Sequence, residues 1–170
     1  HSNETISAVL RQSDFTAISI GKGSNGPLLE LAILKEYAEP LKPKIVLWLY
    51  YVNDLSNLMN REMQSSILRK YLNEDDYSQN LISRQEEIDG VLINYIKHKW
   101  KNEKEREKKM VKKRVINLLK LTKLRIRINL TPTPGLIFRD ILQKSKQMVS
   151  DWDGKMYFVY LPDFNKYSTG

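Results

Sequence analysis

The sequence predicts an α/β protein with a parallel sheet. Two short segments, 45–51 and 155–161, are apolar at almost every position, which is typical of parallel strands covered by helices on both faces. Segments 27–41 and 136–151 precede these strands and repeat their apolar residues at helical spacing. The alternation of helix and strand predicts a doubly wound sheet.

The first fifty residues keep to this alternation. Residues 4–12 predict a short helix with its apolar residues on one face. Residues 15–20 are rich in β-forming side chains and predict a short strand. A tight glycine-rich loop follows at 21–26, and Pro27 suits the first turn of a helix that is expected to end near Leu41.

Beyond residue 59 the pattern changes to long helices. Residues 60–124 predict helix almost throughout, and the alternating residues 125–130 predict an extended segment. The breaker Thr-Pro-Thr-Pro-Gly at 131–135 precedes the next helix, at 136–151. The sequence therefore predicts one α/β core in two parts, residues 1–59 and 132–170, interrupted by a basic helical insertion at 60–131.

The positive charge is concentrated in one segment. The chain carries 28 Lys and Arg against 20 Asp and Glu, a formal net charge of +8. Fourteen of the basic residues, but only three of the acidic ones, lie between Lys97 and Arg127, so the basicity belongs to this segment and not to the fold. The chain contains no Cys, which excludes a thiol nucleophile and thiolate metal sites. The chain contains no apolar run of about 18 residues, so the sequence predicts no transmembrane span.

The loop at 21–26 contains Gly21, Gly23 and Gly26. Backbone N–H groups there, at a helix N-terminus, can bind a phosphate or a carbonyl oxygen, and the alternative is a plain tight connection. The spacing matches Gly-x-Gly-x-x-Gly, but Pro27 follows at once and the Gly-Lys-Ser/Thr of a phosphate loop is absent. A nucleotide-binding domain is therefore disfavoured.

The strand predicted at 45–51 is followed by two polar residues, Asn53 and Asp54. In open α/β sheets, ligands bind at the carboxyl ends of the strands. The Asn53 amide can donate to a developing oxyanion. Alternatively, one of the two residues caps a helix that begins near Ser56. The spacing alone leaves both interpretations open.

Together, the loop and the polar pair resemble the second and third motif blocks of the SGNH/GDSL hydrolase superfamily. The matching segments are Ile-Ser-Ile-Gly-Lys-Gly-Ser-Asn-Gly-Pro (18–27), Glu-Leu-Ala-Ile-Leu-Lys-Glu-Tyr (30–37) and Leu-Lys-Pro-Lys-Ile-Val-Leu-Trp-Leu-Tyr-Tyr-Val-Asn-Asp-Leu (41–55). Lys-Met-Tyr-Phe-Val-Tyr-Leu-Pro (155–162) is similar to the family's following core strand. The resemblance implies a flavodoxin-like three-layer α/β/α sandwich that acts on acyl esters through a Ser nucleophile, without a cofactor or metal.

The resemblance also implies site residues. The backbone N–H of Ser24, beside Gly23, and the side-chain amide of Asn53 are expected to form an oxyanion hole. The nucleophilic Ser is expected on a strand before residue 1, and the Asp and His of the triad beyond residue 170. The chain departs from the family at Val52, where the family has Gly, and at Ser19, where it has Asn.

Three further residues are of the right type for a triad but do not fit its pattern. His1 is terminal, His98 lies in the charged helix, and Asp163 comes too early in the pattern. Because a nucleophile and its base act as a unit, the chain as given is expected to be an inactive fragment of an ester hydrolase. The substrate of the parent protein is expected to be a small ester or an acylated glycan.

A second interpretation comes from a different class of protein. The basic residues between 97 and 127 can contact an anionic surface, as a non-catalytic binding module for a glycan, a lipid headgroup or a nucleic acid. Evidence for nucleic acid in particular is weak, because Glu residues alternate with Lys and Arg over 103–107. The alternative without a binding function is a solvated charged helix.

Overall fold

The computed structural model describes residues 5–113 and 133–163. The predicted extended segment 125–130 and the end of the predicted helical region, 114–124, lie outside these residues. The helices are α1 (Ile6–Gln12), α2 (Pro27–Ile33), α3 (Asp54–Asn60), α4 (Ser66–Asn73), α5 (Gln85–Lys113) and α6 (Pro134–Asp151). The strands are β1 (Ile45–Tyr51) and β2 (Lys155–Leu161).

The two strands form a parallel sheet. Their register runs from Ile45 opposite Lys155 to Tyr51 opposite Leu161. Both strands have the bounds that the sequence predicts, and the α/β class is confirmed. The chain connects them through a long, largely helical excursion, as parallel pairing requires.

The strand predicted at 15–20 is wrong. These residues adopt no regular structure, and Phe15 and Ile18 are exposed. A strand needs a neighbour for its backbone N–H and C=O groups. Within the described residues, the sheet contains β1 and β2 alone, so local β propensity is left without a pairing partner.

The helix predicted from Pro27 to Leu41 is present, but its geometry changes along its length. α2 continues as a π-helical turn, Leu34–Ala38, and then as a short 3₁₀ turn, Glu39–Leu41. Pro40 lacks an N–H group and its ring crowds the preceding turn, which disfavours α-helical continuation. Lys42 then ends the segment with a left-handed backbone, φ 46°.

The core lies on one face of the sheet. Successive strand residues point to opposite faces, and the even-numbered residues of both strands form what we call the inner face. Residues on this face, including Val46, Trp48 and Met156, pack with buried side chains from α2, α3, α4 and α6. The sequence predicts helices on both sides of β1; within the described residues Ile45 and Leu47, on the opposite face, are exposed.

The described chain divides into two compact units. The first combines the residues up to Gln79 with those that follow the gap, and the second begins at Asn80 and contains α5. α4 belongs to the first unit because it packs against α2 and α6. The predicted start of the insertion, residue 60, thus lies inside the first unit.

Candidate functional site

The N-terminus of α2 is bound by a carboxylate from a distant part of the chain. Gly26 occupies the N-cap position and has no side chain with which to cap the helix. Its N–H donates to Glu62 Oε1 at 2.6 Å, and the N–H of Leu28 donates to Glu62 Oε2 at 2.9 Å. A carboxylate is favoured at this end of a helix by both the free N–H groups and the helix dipole.

The close approach explains why residue 26 is Gly. A Cβ atom built there would lie 2.7 Å from Glu62 Oε2, inside van der Waals contact. Glu62 itself is buried, and burial raises its pKa although the backbone N–H groups of Gly26, Leu28 and Leu29 act in the opposite direction. A side chain at position 26 would therefore displace the acceptor that completes the helix.

The carboxyl end of β1 holds a second buried carboxylate. Asp54 Oδ2 accepts a hydrogen bond from the backbone N–H of Tyr51 at 2.7 Å. Asp54 is buried, and burial raises its pKa against the lowering effect of that hydrogen bond. The side chain therefore turns back onto the end of the strand.

Glu30, in the first turn of α2, lies close enough to interact with both of these groups. Burial raises the pKa of Glu30 to about 8, and the negative charges of Asp54 and Glu62 add to this effect. Its Oε2 atom is buried and accepts no hydrogen bond from the described residues. At neutral pH the Glu30 carboxyl therefore holds its proton, and the three side chains carry less than three negative charges.

These carboxyl groups connect the two regions that the sequence singles out. Glu62 holds the helix that follows the glycine-rich loop, while Asp54 holds the end of β1. Glu30 interacts with both carboxylates. The C-terminal end of the loop and the carboxyl end of β1 therefore border one buried group of side chains, which we call the carboxyl cluster (Glu30, Asp54 and Glu62).

Ser24 and Gly23 lie in the exposed part of the loop. Ser24 has a left-handed backbone, φ 72°, a conformation that favours Gly. The turn is closed by a 3.1 Å hydrogen bond from the Asn25 N–H to the Lys22 carbonyl. A Cβ atom built on Gly23 would meet nothing within 4 Å, so packing does not require Gly there.

Asn53 occupies the N-cap position of α3, but its side chain does not cap the helix. The residue is exposed. The capping interpretation of the pair is therefore only half correct: Asn53 has the position of a cap, while the Asp54 carboxylate binds the strand backbone. Within the described residues, no hydrogen bond joins Asn53 to Ser24 or Gly23, and all three residues are exposed.

An open groove of about 340 Å³ borders the loop. Its lining consists of Ile20, Lys22 and Asn25 from the loop region and Ile33 and Tyr37 from the helical segment. The groove is largely apolar, with the Lys22 ammonium as its charged group. It can therefore accommodate an apolar group beside the loop that contains Ser24.

The remaining residues that the sequence offers for a catalytic triad either lie elsewhere in the chain or take part in other interactions. His98 is exposed on α5. Asp163 accepts a hydrogen bond from the Tyr51 hydroxyl; the pKa of Tyr51 is raised by desolvation and then by Asp163. Among residues 5–113 and 133–163, no group of three or more His, Asp or Glu side chains is arranged to hold a metal ion.

The basic segment begins within a single continuous helix. α5 extends for 29 residues and contains the described part of the predicted 97–127 segment, up to Lys113. None of the helices that the structure describes combines the length and apolar character needed to cross a membrane. On the first half of α5 the apolar side chains Val91, Leu92 and Tyr95 are exposed.

Glu30 and Glu62 are members of the site that the sequence does not reveal. Residue 62 lies 36 positions from residue 26, and no local pattern marks it as the acceptor for that helix. A signal for Glu30 does exist, because an acidic residue on an otherwise apolar helix face is unusual. That signal does not reveal the partner.

Comparisons of the chain with protein-family models, with curated proteins and with solved structures find no match.

Proposed function

We propose that this chain is part of an SGNH/GDSL-type hydrolase that acts on acyl ester bonds, with a flavodoxin-like sandwich as its complete fold. One observation carries the proposal. The N-terminus of α2, which follows the glycine-rich loop, and the strand end that bears Asn53 border the same carboxyl cluster. An oxyanion hole built from Ser24 and Asn53 requires these two regions to lie close together, and their shared border with the carboxyl cluster supports the proposal.

The proposed roles follow from donor chemistry. The backbone N–H of Ser24, beside Gly23, and the side-chain amide of Asn53 donate to the oxyanion of a tetrahedral intermediate. A single side-chain donor of this kind lowers the barrier by about 3–4 kcal/mol in hydrolases. The exposure of these three residues and the apolar groove that borders the loop support this role.

The protonation of Glu30 supports the same proposal. An oxyanion develops negative charge during the reaction, and nearby anionic carboxylates would oppose it. Because the pKa of Glu30 is raised to about 8 by burial and by its two acidic neighbours, this carboxyl is neutral at pH 7. The negative potential close to the proposed oxyanion hole is reduced accordingly.

The proposal assigns no nucleophile or general base to this chain. Ser attack on an ester needs a partner that removes the hydroxyl proton and returns it to the leaving alcohol. Within the described residues, the exposed His98 and the Tyr51-bound Asp163 do not form such a pair. We therefore expect the 170-residue chain to be inactive and the longer protein to carry the activity.

The test uses the protein encoded by the whole reading frame that contains these residues. It would be assayed with p-nitrophenyl acetate and with O-acetylated glycans, and its nucleophile labelled with a fluorophosphonate. Asn53→Ala is expected to lower kcat about 10²- to 10³-fold with little change in KM. Asn60→Ala, an exposed amide on the same helix, is the matched control.

Two results would exclude the proposal. One is a longer protein that hydrolyses none of these esters and takes up no fluorophosphonate. The other is an active protein in which Asn53→Ala and Asn60→Ala have the same kcat.

A second candidate function is a non-catalytic module that binds an anionic surface. The observation that favours it is the concentration of charge, since fourteen of the 28 Lys and Arg lie between Lys97 and Arg127, and the described part of this segment belongs to α5. Charge reversal at Lys108, Lys109, Lys112 and Lys113 should weaken binding to phosphatidylserine vesicles and flatten its salt dependence. Unchanged affinity would exclude this function.

A further inference from the structure

The sequence contains one Asn-Gly pair, Asn25-Gly26, and it lies where the glycine-rich loop enters α2. Asn followed by Gly is chemically labile, because the backbone nitrogen of the second residue can attack the side-chain carbonyl of the first. Gly has no Cβ to obstruct the five-membered ring that forms. A reactive amide therefore stands at the boundary between the loop and the helix.

The reaction at such a pair needs water as its co-reactant. The Gly26 nitrogen bonds to Cγ of Asn25, and its proton passes to the Asn25 side-chain nitrogen, which leaves as ammonia. Water then opens the succinimide at either of its two carbonyls, which gives Asp or isoaspartate at position 25. The sequence of steps involves no oxidation or reduction.

The folded structure blocks the first of these steps. The Gly26 N–H donates to Glu62 Oε1 at 2.6 Å, and both residues are buried. Loss of the proton there would leave a negatively charged nitrogen against a carboxylate, which is most unfavourable where water is excluded. The Gly26 nitrogen is therefore not a nucleophile while this hydrogen bond persists.

The contact with Glu62 also explains why a labile pair occurs at this position. A Cβ atom on residue 26 would lie 2.7 Å from Glu62 Oε2, so the carboxylate can approach the helix only if that residue is Gly. The packing that protects the Gly26 N–H thus requires the residue that makes Asn25 reactive.

The loop side of the boundary favours opening. Ser24 is held in a left-handed conformation, φ 72°, which is strained for a residue with a side chain. The Asn25 Nδ2 atom is buried and donates no hydrogen bond to the described residues, and contact with water would supply the missing acceptor. Exposed loops of this kind open locally at a small cost in free energy. Glu62 is the group that opposes this opening.

We propose that Asn25 is a deamidation site that the Glu62 carboxylate holds closed. Release of the Gly26 N–H from Glu62 sets the rate at which Asn25 is converted to Asp or isoaspartate. Isoaspartate adds one methylene to the main chain directly before Gly26, which displaces the Gly26 N–H from Glu62. Conversion is therefore a one-way change at the N-terminus of α2.

The first experiment follows the tryptic peptide 23–35 of the 170-residue chain by mass spectrometry during incubation at neutral pH. The folded wild-type chain is expected to deamidate slowly, and the chain unfolded in urea rapidly. Glu62→Ala is expected to raise the rate in the folded chain about tenfold to a hundredfold, the factor that a hydrogen bond to a charged acceptor contributes. Asn25→Gln should stop the reaction, because a longer side chain disfavours the ring.

Glu36→Ala is the matched control for a general loss of stability. It removes another buried carboxylate of the same helical segment, which accepts its hydrogen bonds from Tyr71, Ser78 and Gln79. Because opening at Gly26 is local, Glu36→Ala should deamidate at the wild-type rate although it is less stable. Glu62→Gln keeps the size of the side chain without its charge, and its rate should lie between those of the wild type and Glu62→Ala. It replaces Glu62→Ala if the latter does not fold.

The second experiment tests whether opening precedes the reaction. Amide hydrogen exchange at Gly26 should accelerate in Glu62→Gln and in Glu62→Ala by factors similar to those for deamidation. Methylation by a protein-isoaspartate methyltransferase then identifies isoaspartate in the converted chain, and Asn25→Gln should not be methylated at this position.

Three results would overturn the proposal. A folded wild-type chain that deamidates as fast as the chain in urea shows that the fold does not protect Asn25. A Glu62→Ala variant with the wild-type rate excludes Glu62 as the protecting group, and equal acceleration in Glu36→Ala assigns the reaction to global unfolding. None of these measurements depends on ester hydrolysis, so this site and the proposed enzymatic function can fail separately.

Discussion

Glu30 and Glu36 lie fewer than two turns apart on the same helical segment, and both side chains are withdrawn from water, yet their surroundings differ completely. Glu36 Oε1 accepts hydrogen bonds from the Tyr71 hydroxyl at 2.6 Å, the Ser78 hydroxyl at 2.9 Å and the Gln79 N–H at 2.6 Å. Glu30 instead interacts with two other carboxylates. One group is surrounded by donors and the other by acceptors.

The difference shows that burial alone does not fix what a carboxyl group does. A buried charge is tolerated where hydrogen-bond donors replace the lost water. Around Glu36 the donors replace this water, and the carboxylate connects the π-helical turn to α4 and to the segment after it. Around Glu30 no donors replace the water, and a raised pKa keeps the carboxyl group protonated. The following predictions test this contrast, beginning with the largest expected effect.

Removing the carboxylate that is surrounded by donors should have the largest effect. Glu36→Ala leaves three donors without their acceptor, among them the buried Tyr71 hydroxyl, and is expected to lower the free energy of unfolding by about 3–5 kcal/mol, measured by urea denaturation. Glu39→Ala is the control, since its ion pair with Lys35 is partly exposed and contributes about 0.3–0.5 kcal/mol. Equal losses in the two variants would contradict the role assigned to Glu36.

The carboxylate that caps α2 should have the next largest effect. Glu62→Ala removes the acceptor for the N–H groups of Gly26 and Leu28 and is expected to lower the free energy of unfolding by about 2–4 kcal/mol. Amide hydrogen exchange at these two positions should accelerate more than elsewhere. Gln64 is exposed on the short 3₁₀ turn Glu62–Gln64, and Gln64→Ala should leave both measurements unchanged. Gly26 and Leu28 amides that stay protected in Glu62→Ala would refute the capping role.

Replacing Glu30 should raise the free energy of unfolding instead of lowering it. Because its pKa is raised from 4.5 to about 8 by burial and its acidic neighbours, the folded protein binds a proton that the unfolded chain releases. Stability therefore falls as pH rises between these two values and levels off above them. Glu30→Gln removes this penalty and is expected to raise the free energy of unfolding by about 2 kcal/mol at pH 7.5.

The test is the pH dependence of the urea midpoint from pH 5 to pH 9 for three proteins. The wild type and the control Glu39→Gln should lose stability over the lower part of this range, and Glu30→Gln should show a shallower slope. A Glu30→Gln variant that is less stable than the wild type at pH 7.5 would show that the carboxyl is needed as an anion.

The smallest effect should come from one hydroxyl of the Glu36 network. Tyr71→Phe removes a donor to Glu36 and the acceptor for the Gln79 amide, and is expected to lower the free energy of unfolding by about 1 kcal/mol. Tyr77→Phe, whose ring packs against the Tyr71 ring, should be neutral within about 0.5 kcal/mol. The order of the two thermal midpoints is the measurement, and the reverse order would contradict the assignment.

Much of the fold could be predicted from the sequence. The apolar runs 45–51 and 155–161 give the two strands with their observed bounds, and helical periodicity gives α2 and α6. These predictions succeed because the residues carry both the periodicity and the breakers that end each element. The strand predicted at 15–20 fails because strand formation depends on a partner, which composition cannot provide.

The candidate site could be predicted only in part. The sequence singles out Ser24 through its place in a glycine-rich loop before a helix, and Asn53 through its position between a strand and a helix. Two side chains stabilise these regions by accepting backbone hydrogen bonds. Glu62 accepts from the N-terminus of α2, and Asp54 accepts from the end of β1. A hydrogen bond across 36 residues has no local signature, so Glu62 was missed.

The sequence by itself determined which segments become helix and strand, and where the positive charge lies, because periodicity, prolines and charge density are local properties of the chain. Tertiary structure alone decided which carboxyl groups would keep their protons and which face of the sheet would remain apolar and exposed. Both depend on which side chains approach from distant parts of the chain, since desolvation and hydrogen bonding act over a few ångströms of space whatever the separation in sequence.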